Sequence, residues 1–291
     1  MSAGTGRRGS LGRRLAFSVL LLLAGAACLL LALWEPWAAP TVQEGSATLT
    51  AFDVGQGDAL LLCSGGETML IDAGTRESAD ALCAALRSRK LRRLDYVVLT
   101  HPHSDHYGGM YEVFERFEVG AFLLPDGAER DALLSFAGEL CGRNACPIEL
   151  VSAGRTLTLG NAVVTVLSPE AGAAPDDEND LSLVLDVRCG RVGMLLTGDA
   201  TQAVLESLEL PRCTLFKAAH HGSSGAISEE ILRRVRPAYA FISCGAGNEY
   251  GHPHEQTLAL LADAGTEVFR TDRQGTLTAV VEDGRLRIVT E

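Results

Sequence analysis

The sequence predicts an α/β fold in which two β-sheets pack against each other and helices cover their outer faces. Short runs rich in β-branched and aliphatic residues alternate with helical stretches, and this pattern occurs in both halves of the chain. The 291 residues are 47% apolar and 21% charged, which is too apolar for a disordered chain. This length suits one large domain or two modest ones.

The first half of the predicted fold begins with three short strands. The turn DVGQGD at 53–58 separates the first two, and we interpret it as a hairpin turn because it lacks the lysine of a phosphate-binding loop. We expect Asp58 in this turn to lie near the edge of a functional site. The predicted elements are strands 48–54, 59–63, 68–72, 95–100 and 119–124, with helices 78–90 and 107–117.

The second half repeats this style with less helix at its start. Residues 170–180 are predicted to form an acidic, solvated loop. The predicted strands are 147–151, 156–159, 162–167, 182–188, 191–197, 213–218, 238–243 and 266–270, with a closing hairpin at 276–281 and 285–290. The predicted helices are 200–208, 228–235 and 255–263.

The first 46 residues predict a membrane signal ahead of the folded domain. Residues 1–14 carry four arginines and are expected to stay in the cytoplasm, whereas residues 15–34 are almost entirely apolar. This stretch reaches roughly 30 Å as a helix, enough to cross a bilayer core. We expect an uncleaved single-pass anchor, with a cleaved signal and a secreted protein as the alternative. A linker at 35–46 then leads to an extracytoplasmic domain at 47–291.

The charge of the chain excludes one class of function. The net charge is −12, and the residues after 40 contain 21 basic and 36 acidic side chains. A protein that wraps a long nucleic acid needs a basic surface, so we expect no stable complex with nucleic acid. A metal-centred site that handles phosphates remains compatible with this charge, because bound divalent ions reverse the local sign.

The cysteines predict at most one disulfide. An extracytoplasmic domain lies in an oxidising compartment, and Cys141 and Cys146 bracket a short loop. No Cys-x-x-Cys pair occurs, so the sequence does not indicate a zinc ribbon or a thioredoxin-like site. We interpret the other cysteines as small buried apolar residues.

The seven histidines fall into three clusters. None occurs before residue 101 or between 107 and 219, and each cluster begins where a predicted strand ends. Ligand sites of α/β sheets lie at such strand ends. A single loop histidine is more often a surface or core residue than a ligand, but three imidazoles and an aspartate within six residues serve no packing purpose. The clusters are His101, His103 and His106; His220 and His221; and His252 and His254.

The segment HPHSDH at 101–106 predicts two metal positions. His101 and His103 project together from a turn. Asp105 and His106 offer a second set of ligands on the other side. Imidazole nitrogen combined with carboxylate oxygen suits zinc, manganese or iron.

Several motifs together resemble the metallo-β-lactamase superfamily. HPHSDH is accompanied by IDAG at 71–74 and by LLTGD at 195–199. More narrowly, AFDVGQGDALLL, VVLTHPHSDHYGG, NDLSLVL, KAAHHGSSG and YGHPH resemble the metallo-hydrolase domain of ComEC-type competence proteins, and the free-standing hydrolases and phosphorylcholine esterases related to it. The resemblance covers residues 47–290.

This resemblance implies an αββα sandwich with a two-metal site along one edge. It implies that His101 and His103 hold one ion. Asp105 and His106 would hold the other ion, and Asp199 would bridge the two. Asp105 and Asp199 are therefore candidate catalytic residues.

The resemblance also implies the residues that complete and support the site. His221, with His220 as the alternative, would be a ligand of the second ion. Asp72 would fix the orientation of the ligands by hydrogen bonding.

One position departs from the superfamily pattern. Many members supply a further histidine from the middle of the chain, and this sequence has none between 107 and 219. Asn179 or Asp180 would supply an oxygen there, or water would fill the position. The implied cofactors are two divalent ions, zinc or manganese, and an oxygen-richer site favours manganese.

The later motifs supply candidate substrate contacts. Ser223 and Ser224 are interpreted as donors to substrate oxygens, with a plain turn as the alternative. His252, the third candidate catalytic residue, would contact the phosphate or donate a proton to the leaving oxygen, and Tyr250 would assist it. His254 is interpreted as the residue at the start of a helix.

These observations predict a membrane-anchored, extracytoplasmic, binuclear metal-dependent hydrolase that acts on a phosphodiester. The resemblance favours a nuclease on extracellular DNA, with a DNA-uptake channel as a candidate partner. One alternative is an esterase that hydrolyses a cell-surface phosphodiester of the phosphorylcholine type. The other is a non-catalytic binding module whose fold is stabilised by bound metal. β-Lactamase activity ranks lower, because the HHGS and YGHPH motifs resemble the competence-protein branch of the superfamily rather than the β-lactamases.

Overall fold

The computed structural model describes residues 45–127, 130–142 and 146–291. Its strands, numbered along the chain, are β1 (Ala47–Ala51), β2 (Leu60–Ser64), β3 (Glu67–Ile71), β4 (Arg93–Val98), β5 (Glu118–Pro125), β6 (Ile148–Val151), β7 (Thr156–Leu159), β8 (Ala162–Ser168), β9 (Val184–Cys189), β10 (Val192–Leu196), β11 (Leu215–Lys217), β12 (Tyr239–Ile242), β13 (Glu267–Arg270), β14 (Leu277–Glu282) and β15 (Arg285–Thr290). Each predicted strand is present within a few residues of its expected ends.

The strands form two sheets, and each sheet is part antiparallel and part parallel. The first has the order β15-β14-β1-β2-β3-β4-β5-β6, with parallel pairing from β3 to β6. The second has the order β13-β12-β11-β10-β9-β8-β7, with parallel pairing from β10 to β13. Ligand sites form where the carboxyl ends of parallel strands meet, so these two halves position the site.

Helices cover the outer face of each sheet. They are α1 (Ala79–Ser88), α2 (Ser104–Tyr107), α3 (Met110–Arg116), α4 (Arg130–Cys141), α5 (Gln202–Ser207), α6 (Glu229–Val235), α7 (Glu255–Asp263) and α8 (Thr271–Gln274). Single 3₁₀ turns are present at Glu178–Leu181 and His220–Gly222.

Three apolar layers hold the structure together. Leu62 and Met194 belong to the layer between the two sheets. Phe122 packs with α1, α3 and α4 on one side, and Phe216 packs with α5, α6 and α7 on the other. The predicted αββα sandwich is therefore confirmed, with the burial of these aliphatic and aromatic side chains as its main stabilising term.

The helices differ from the prediction in several places. The predicted helix 107–117 is observed as α3, and the short helix α2 and the pair Gly108–Gly109 precede it; a Cβ on Gly109 would collide with the Ala73 carbonyl. The single-turn helix α8 was not predicted. The helix α4 is missing from the sequence prediction. Its buried positions Leu133 and Ala137 have helical spacing, but polar residues and a glycine interrupt the surrounding apolar pattern.

The predicted disulfide is confirmed, whereas the predicted membrane segment lies outside the described residues. The structure joins Cys141 to Cys146, as expected. The predicted cytoplasmic segment, membrane anchor and most of the linker at 1–44 lie outside the described residues. None of the helices that the structure describes is long and apolar enough to cross a membrane.

Candidate metal centre

The predicted site residues lie where the parallel halves of the two sheets meet at their carboxyl ends. Asp72 directly follows β3, and the segment 101–106 follows β4. From the second sheet, Asp199 follows β10 and His221 follows β11. Because both sheets contribute, the folded sandwich brings together residues that are far apart in the chain.

Asp199 lies at the centre of the cluster and is 2% exposed. Its Oδ2 is 3.4 Å from Nε2 of His106 and 3.3 Å from Nε2 of His221. Nε2 of His101 lies 4.0 Å away, and that of the half-buried His220 lies 3.8 Å away. This is the arrangement that a bridging carboxylate requires, and it places the fully buried His221 more deeply in the cluster than His220.

Three buried histidines present Nε2 to the same point because Nδ1 of each is already engaged. Nδ1 of His106 donates to Asp72 Oδ2 at 2.7 Å. Nδ1 of His221 donates to the Ser243 carbonyl at 3.0 Å, and Nδ1 of His101 lies 3.1 Å from Thr100 Oγ1. A histidine whose other nitrogen donates outward is held in the tautomer and orientation that metal coordination needs.

Asp72 supports the loop as well as one ring. Besides His106, it accepts from the backbone N–H of Thr100 at 2.8 Å and from the Thr100 hydroxyl at 2.7 Å. Asp72 itself has a φ of 59°, an uncommon conformation for a residue with a side chain. These contacts are those expected of a residue that orients ligands from behind.

The backbone of the HHG turn is strained in a way that aims His221 inward. His220 and His221 have φ values of 49° and 54°, so two successive residues adopt the left-handed region. Gly222 follows with φ 81°, and a Cβ there would lie 2.6 Å from Pro253. Non-glycine residues adopt this conformation at some cost, and such strain clusters at functional sites.

The electrostatics of the cluster favour a positive charge among its carboxylates. Burial lowers the pKa of His106, but the Asp199 and Asp72 carboxylates outweigh burial and hold it well above its usual value. Burial also opposes protonation of His221, yet Asp199 and Asp105 raise its pKa to about 9. Conversely, burial and the adjacent His106 depress the pKa of His101. A proton or a metal cation supplies the charge that these carboxylates favour.

The donor set fits divalent metal ions. Nε2 of His101, His106 and His221 and Oδ1 of Asp199 are buried without a hydrogen-bond partner, which is costly unless the atoms serve as ligands. The groups whose ligand atoms lie within 4.8 Å of one another include His101 with His106 and Asp199, and Asp105 with His106 and His221. The second group contains the residues predicted for the second ion. Mixed imidazole and carboxylate ligands suit zinc and manganese.

His103, which was predicted to serve the first ion, lies next to His101 and to Glu178, directly before the NDLSLVL segment. The His103 ring lies 4.6 Å from that of His101, and its Nε2 is 3.2 Å from Glu178 Oε2. Asn179 is 9% exposed, and its Oδ1 has no hydrogen-bond partner. Oδ1 of Asp180 accepts from the Thr201 hydroxyl at 2.6 Å. The pairing of His101 with His103, and the oxygen that replaces the missing histidine, stay predictions.

The candidate substrate residues border the histidine cluster. The His252 ring lies 5.7 Å from that of His220 and 6.2 Å from that of His221, and Tyr250 stacks on its outer side. Nδ1 of His254, the residue before α7, accepts from the backbone N–H of Ser224 at 2.8 Å. Ser223 is half-buried and Ser224 is exposed at the same edge; their role as donors stays a prediction.

A buried ion pair next to His221 was not predicted from the sequence. Nζ of Lys217 donates to Asp58 Oδ2 at 2.8 Å, and both side chains are 1% exposed. Oδ1 of Asp58 lies 3.8 Å from Nδ1 of His221. Asp58 was expected only at the edge of the site. The available signal was Lys217 itself, a charge in an otherwise apolar strand directly before the HH motif.

We expect Lys217→Met to lower the free energy of unfolding by about 3–5 kcal/mol, because the substitution removes the ammonium group that pairs with the buried Asp58 carboxylate. Denaturant unfolding in the presence of chelator measures this without a contribution from metal binding. Lys90→Met is the matched control: this exposed lysine is the other one in the chain, and its substitution should change stability much less than Lys217→Met does. Equal stability of Lys217→Met and wild type would contradict the structural role of the ion pair.

Comparisons with known proteins identify relatives of this chain. Residues 52–131 match the metallo-beta-lactamase superfamily. The chain is 30% identical to ComE operon protein 3 of Bacillus subtilis over 247 residues, which are 77% of this chain and 32% of that protein. It is 31% identical to competence protein ComA of Neisseria gonorrhoeae over 283 residues, covering 89% of this chain and 38% of that protein. The chain therefore spans about a third of the length of these relatives.

A solved structure supports the fold. The metallo-beta-lactamase fold protein YhfI from Bacillus subtilis superposes with a TM-score of 0.54 at 14% sequence identity, covering 84% of this chain and all of that one. Together with the HPHSDH loop, the converging histidines and the central Asp199, these similarities agree with the resemblance identified from the motifs. The chain belongs to the metallo-β-lactamase superfamily and is related to the metallo-hydrolase domain of ComEC-type competence proteins.

Proposed function

We propose that this protein is a binuclear, metal-dependent phosphodiesterase that cleaves DNA outside the cytoplasm and is held at the membrane by its N-terminal segment. One observation carries the proposal: Nε2 of three buried histidines faces the buried Asp199 carboxylate without a hydrogen-bond partner. One of its relatives is a competence protein by name, which supports DNA as the substrate and a DNA-uptake channel as a partner.

The proposed ligands are those named from the sequence. His101 and His103 would hold one ion, Asp105, His106 and His221 would hold the other, and Asp199 would bridge them; the ions would be zinc or manganese. When bound, such ions supply activated water at neutral pH and neutralise the negative charge that develops on a phosphate.

Residues around the ligands hold them in position. Asp72 and the Ser243 carbonyl fix the rings of His106 and His221, so the ligands need little reorganisation when substrate binds. The buried Asp58–Lys217 ion pair lies beside His221, with Asp58 Oδ1 3.8 Å from Nδ1 of that ring.

His252 is the proposed donor to the substrate phosphate. The backbone N–H of Gly245 donates to Gln56 Oε1, which turns the Gln56 amide N–H toward Nδ1 of His252, 3.4 Å away. Nδ1 therefore accepts, and the proton of neutral His252 lies on Nε2. Burial and the neighbouring His221 and His220 lower the pKa of His252 to about 4, so the ring is neutral at pH 7. A neutral Nε2–H donates a hydrogen bond to a phosphate oxygen.

A side-by-side hydrolysis assay tests the proposed function. The purified protein is dialysed against chelator, resupplied with Mn²⁺ or Zn²⁺, and incubated with single-stranded DNA, bis-p-nitrophenyl phosphate and a phosphorylcholine ester. We expect chelation to abolish hydrolysis, added metal to restore it, and DNA to be cleaved. Hydrolysis that persists after metal removal, or protein that binds two ions and cleaves no phosphodiester, would overturn the proposal. Cleavage of the phosphorylcholine ester alone would identify the substrate as a cell-surface phosphodiester.

A further inference from the structure

Tyr250 is unusually exposed for an aromatic residue beside a buried site. Its side chain is 58% exposed, the largest value for a large apolar residue in the described part of the chain. It lies in the segment between β12 and α7, two residues before His252. Because this exposed ring also stacks on His252, its free side lies next to the candidate site and is available to a ligand.

Aromatic rings lead from the buried cluster to this surface. The His252 ring lies 6.2 Å from the His221 ring with an interplanar angle of 30°. The Tyr250 ring in turn stacks on His252, with the centroids 5.6 Å apart and an angle of 23°. Tyr250 thus shares one ring neighbour with the metal cluster, so a molecule held at the cluster can reach its face.

The segment that carries Tyr250 is held in place before any ligand binds. Nδ2 of Asn248 donates to the carbonyls of Gly245 and His252 at 2.8 and 2.7 Å. Oδ1 of Asn248 accepts from the backbone N–H of His252 at 2.9 Å. A bracket of three hydrogen bonds around Tyr250 reduces the entropy that is lost when a ligand orders this loop.

We propose that Tyr250 is a stacking platform for an unpaired nucleobase of the strand whose phosphate lies at the metal cluster. The inference rests on the proposed function and specifies its substrate as single-stranded nucleic acid. Every base has a π-face, so stacking on a tyrosine holds a strand without reading its sequence. A base within a duplex is already stacked and paired, and it cannot lie on Tyr250 without first leaving the duplex.

The charge of the chain supports stacking as the source of affinity. The net charge is −12, and Glu249 is the exposed neighbour of Tyr250. Binding that depends on phosphate contacts needs a basic surface, which this chain does not have in excess. An uncharged aromatic contact binds a nucleotide without such a surface.

A pair of oligonucleotides tests the proposal. One is a short single strand of thymidines, and the other carries abasic residues on both sides of the scissile phosphate. We expect wild-type protein with metal to have a KM about tenfold lower for the strand with bases. Tyr250→Ala should bring this ratio close to one, whereas Tyr250→Phe should retain it. Tyr111→Ala is the matched control, since Tyr111 is also exposed but packs on Phe136. A ratio of one in wild type, or an unchanged ratio in Tyr250→Ala, would overturn the proposal.

A fluorescence titration separates this inference from the proposed function. Stacking quenches 2-aminopurine in a single strand whether or not the strand is cleaved. We expect wild-type protein to quench it, and Tyr250→Ala to weaken the quenching in proportion to the rise in KM for the strand with bases. If the metal-loaded protein cleaves neither strand, the proposed function fails. Independently of cleavage, quenching that is the same in Tyr250→Ala and wild type would overturn the stacking site.

Discussion

Asp199→Ala is expected to lower the rate of hydrolysis at least about 10³-fold and to reduce the tightly bound metal from two ions toward one. Oδ2 of Asp199 lies 3.3 to 4.0 Å from Nε2 of four histidines, three of them buried, so its removal takes the common neighbour from both ligand groups. Burial raises the pKa of Asp199, but His221 and His106 outweigh burial and hold the pKa well below its usual value, so the group is ionised at neutral pH. Elemental analysis after dialysis, together with the rate, measures both effects.

A carboxylate far from the cluster provides the control for this substitution. Asp263 ends α7 and is exposed, so Asp263→Ala should retain both ions and the wild-type rate. Circular dichroism of Asp199→Ala shows whether the fold is intact. If Asp199→Ala retained two tightly bound ions and a normal rate, another carboxylate would bridge them. Asp58 would then be the first candidate, because it lies with Asp199 and His221 within 4.8 Å.

His252→Ala is expected to retain both metal ions and to lose about 10²–10³ in rate, the usual effect of removing one donor to a developing oxyanion. Because the proton lies on Nε2 of a neutral ring, the side chain stabilises the phosphate rather than protonating the leaving group. The loss should therefore be similar for DNA and for p-nitrophenyl esters, whose leaving groups differ widely in basicity. Rate measurements on both substrates, with metal analysis, test this.

A conservative variant distinguishes the expected role of His252 as a hydrogen-bond donor to the phosphate from a role as a proton donor to the leaving group. His252→Gln keeps an N–H donor but has no group that transfers a proton, so it should recover part of the rate on both substrates. A much larger loss on DNA than on the nitrophenyl ester would show that His252 protonates the leaving sugar oxygen. Loss of a metal ion would instead make His252 a ligand.

Local features of the fold were predicted from the sequence more completely than contacts between distant residues. The strands and most helices were predicted because apolar periodicity and turn residues are local signals. The helix α4 was missed because a glycine and polar residues break its apolar pattern, although Leu133 and Ala137 bury one face. The later start of α3 was missed, and the close approach of the Ala73 carbonyl, which leaves no room for a Cβ at Gly109, is a tertiary contact that the sequence does not reveal.

The sequence by itself determined the fold class and indicated a candidate metal centre. HPHSDH places several candidate ligands within six residues, directly after a predicted strand, where α/β sheets form ligand sites. The contacts that complete the site were decided only by the tertiary structure. Asp58 meets Lys217 beneath the histidines, and Gln56 sets the proton of a histidine 196 residues away. Such pairs leave no periodic signal, since two sheets must pack before residues of different strands become neighbours.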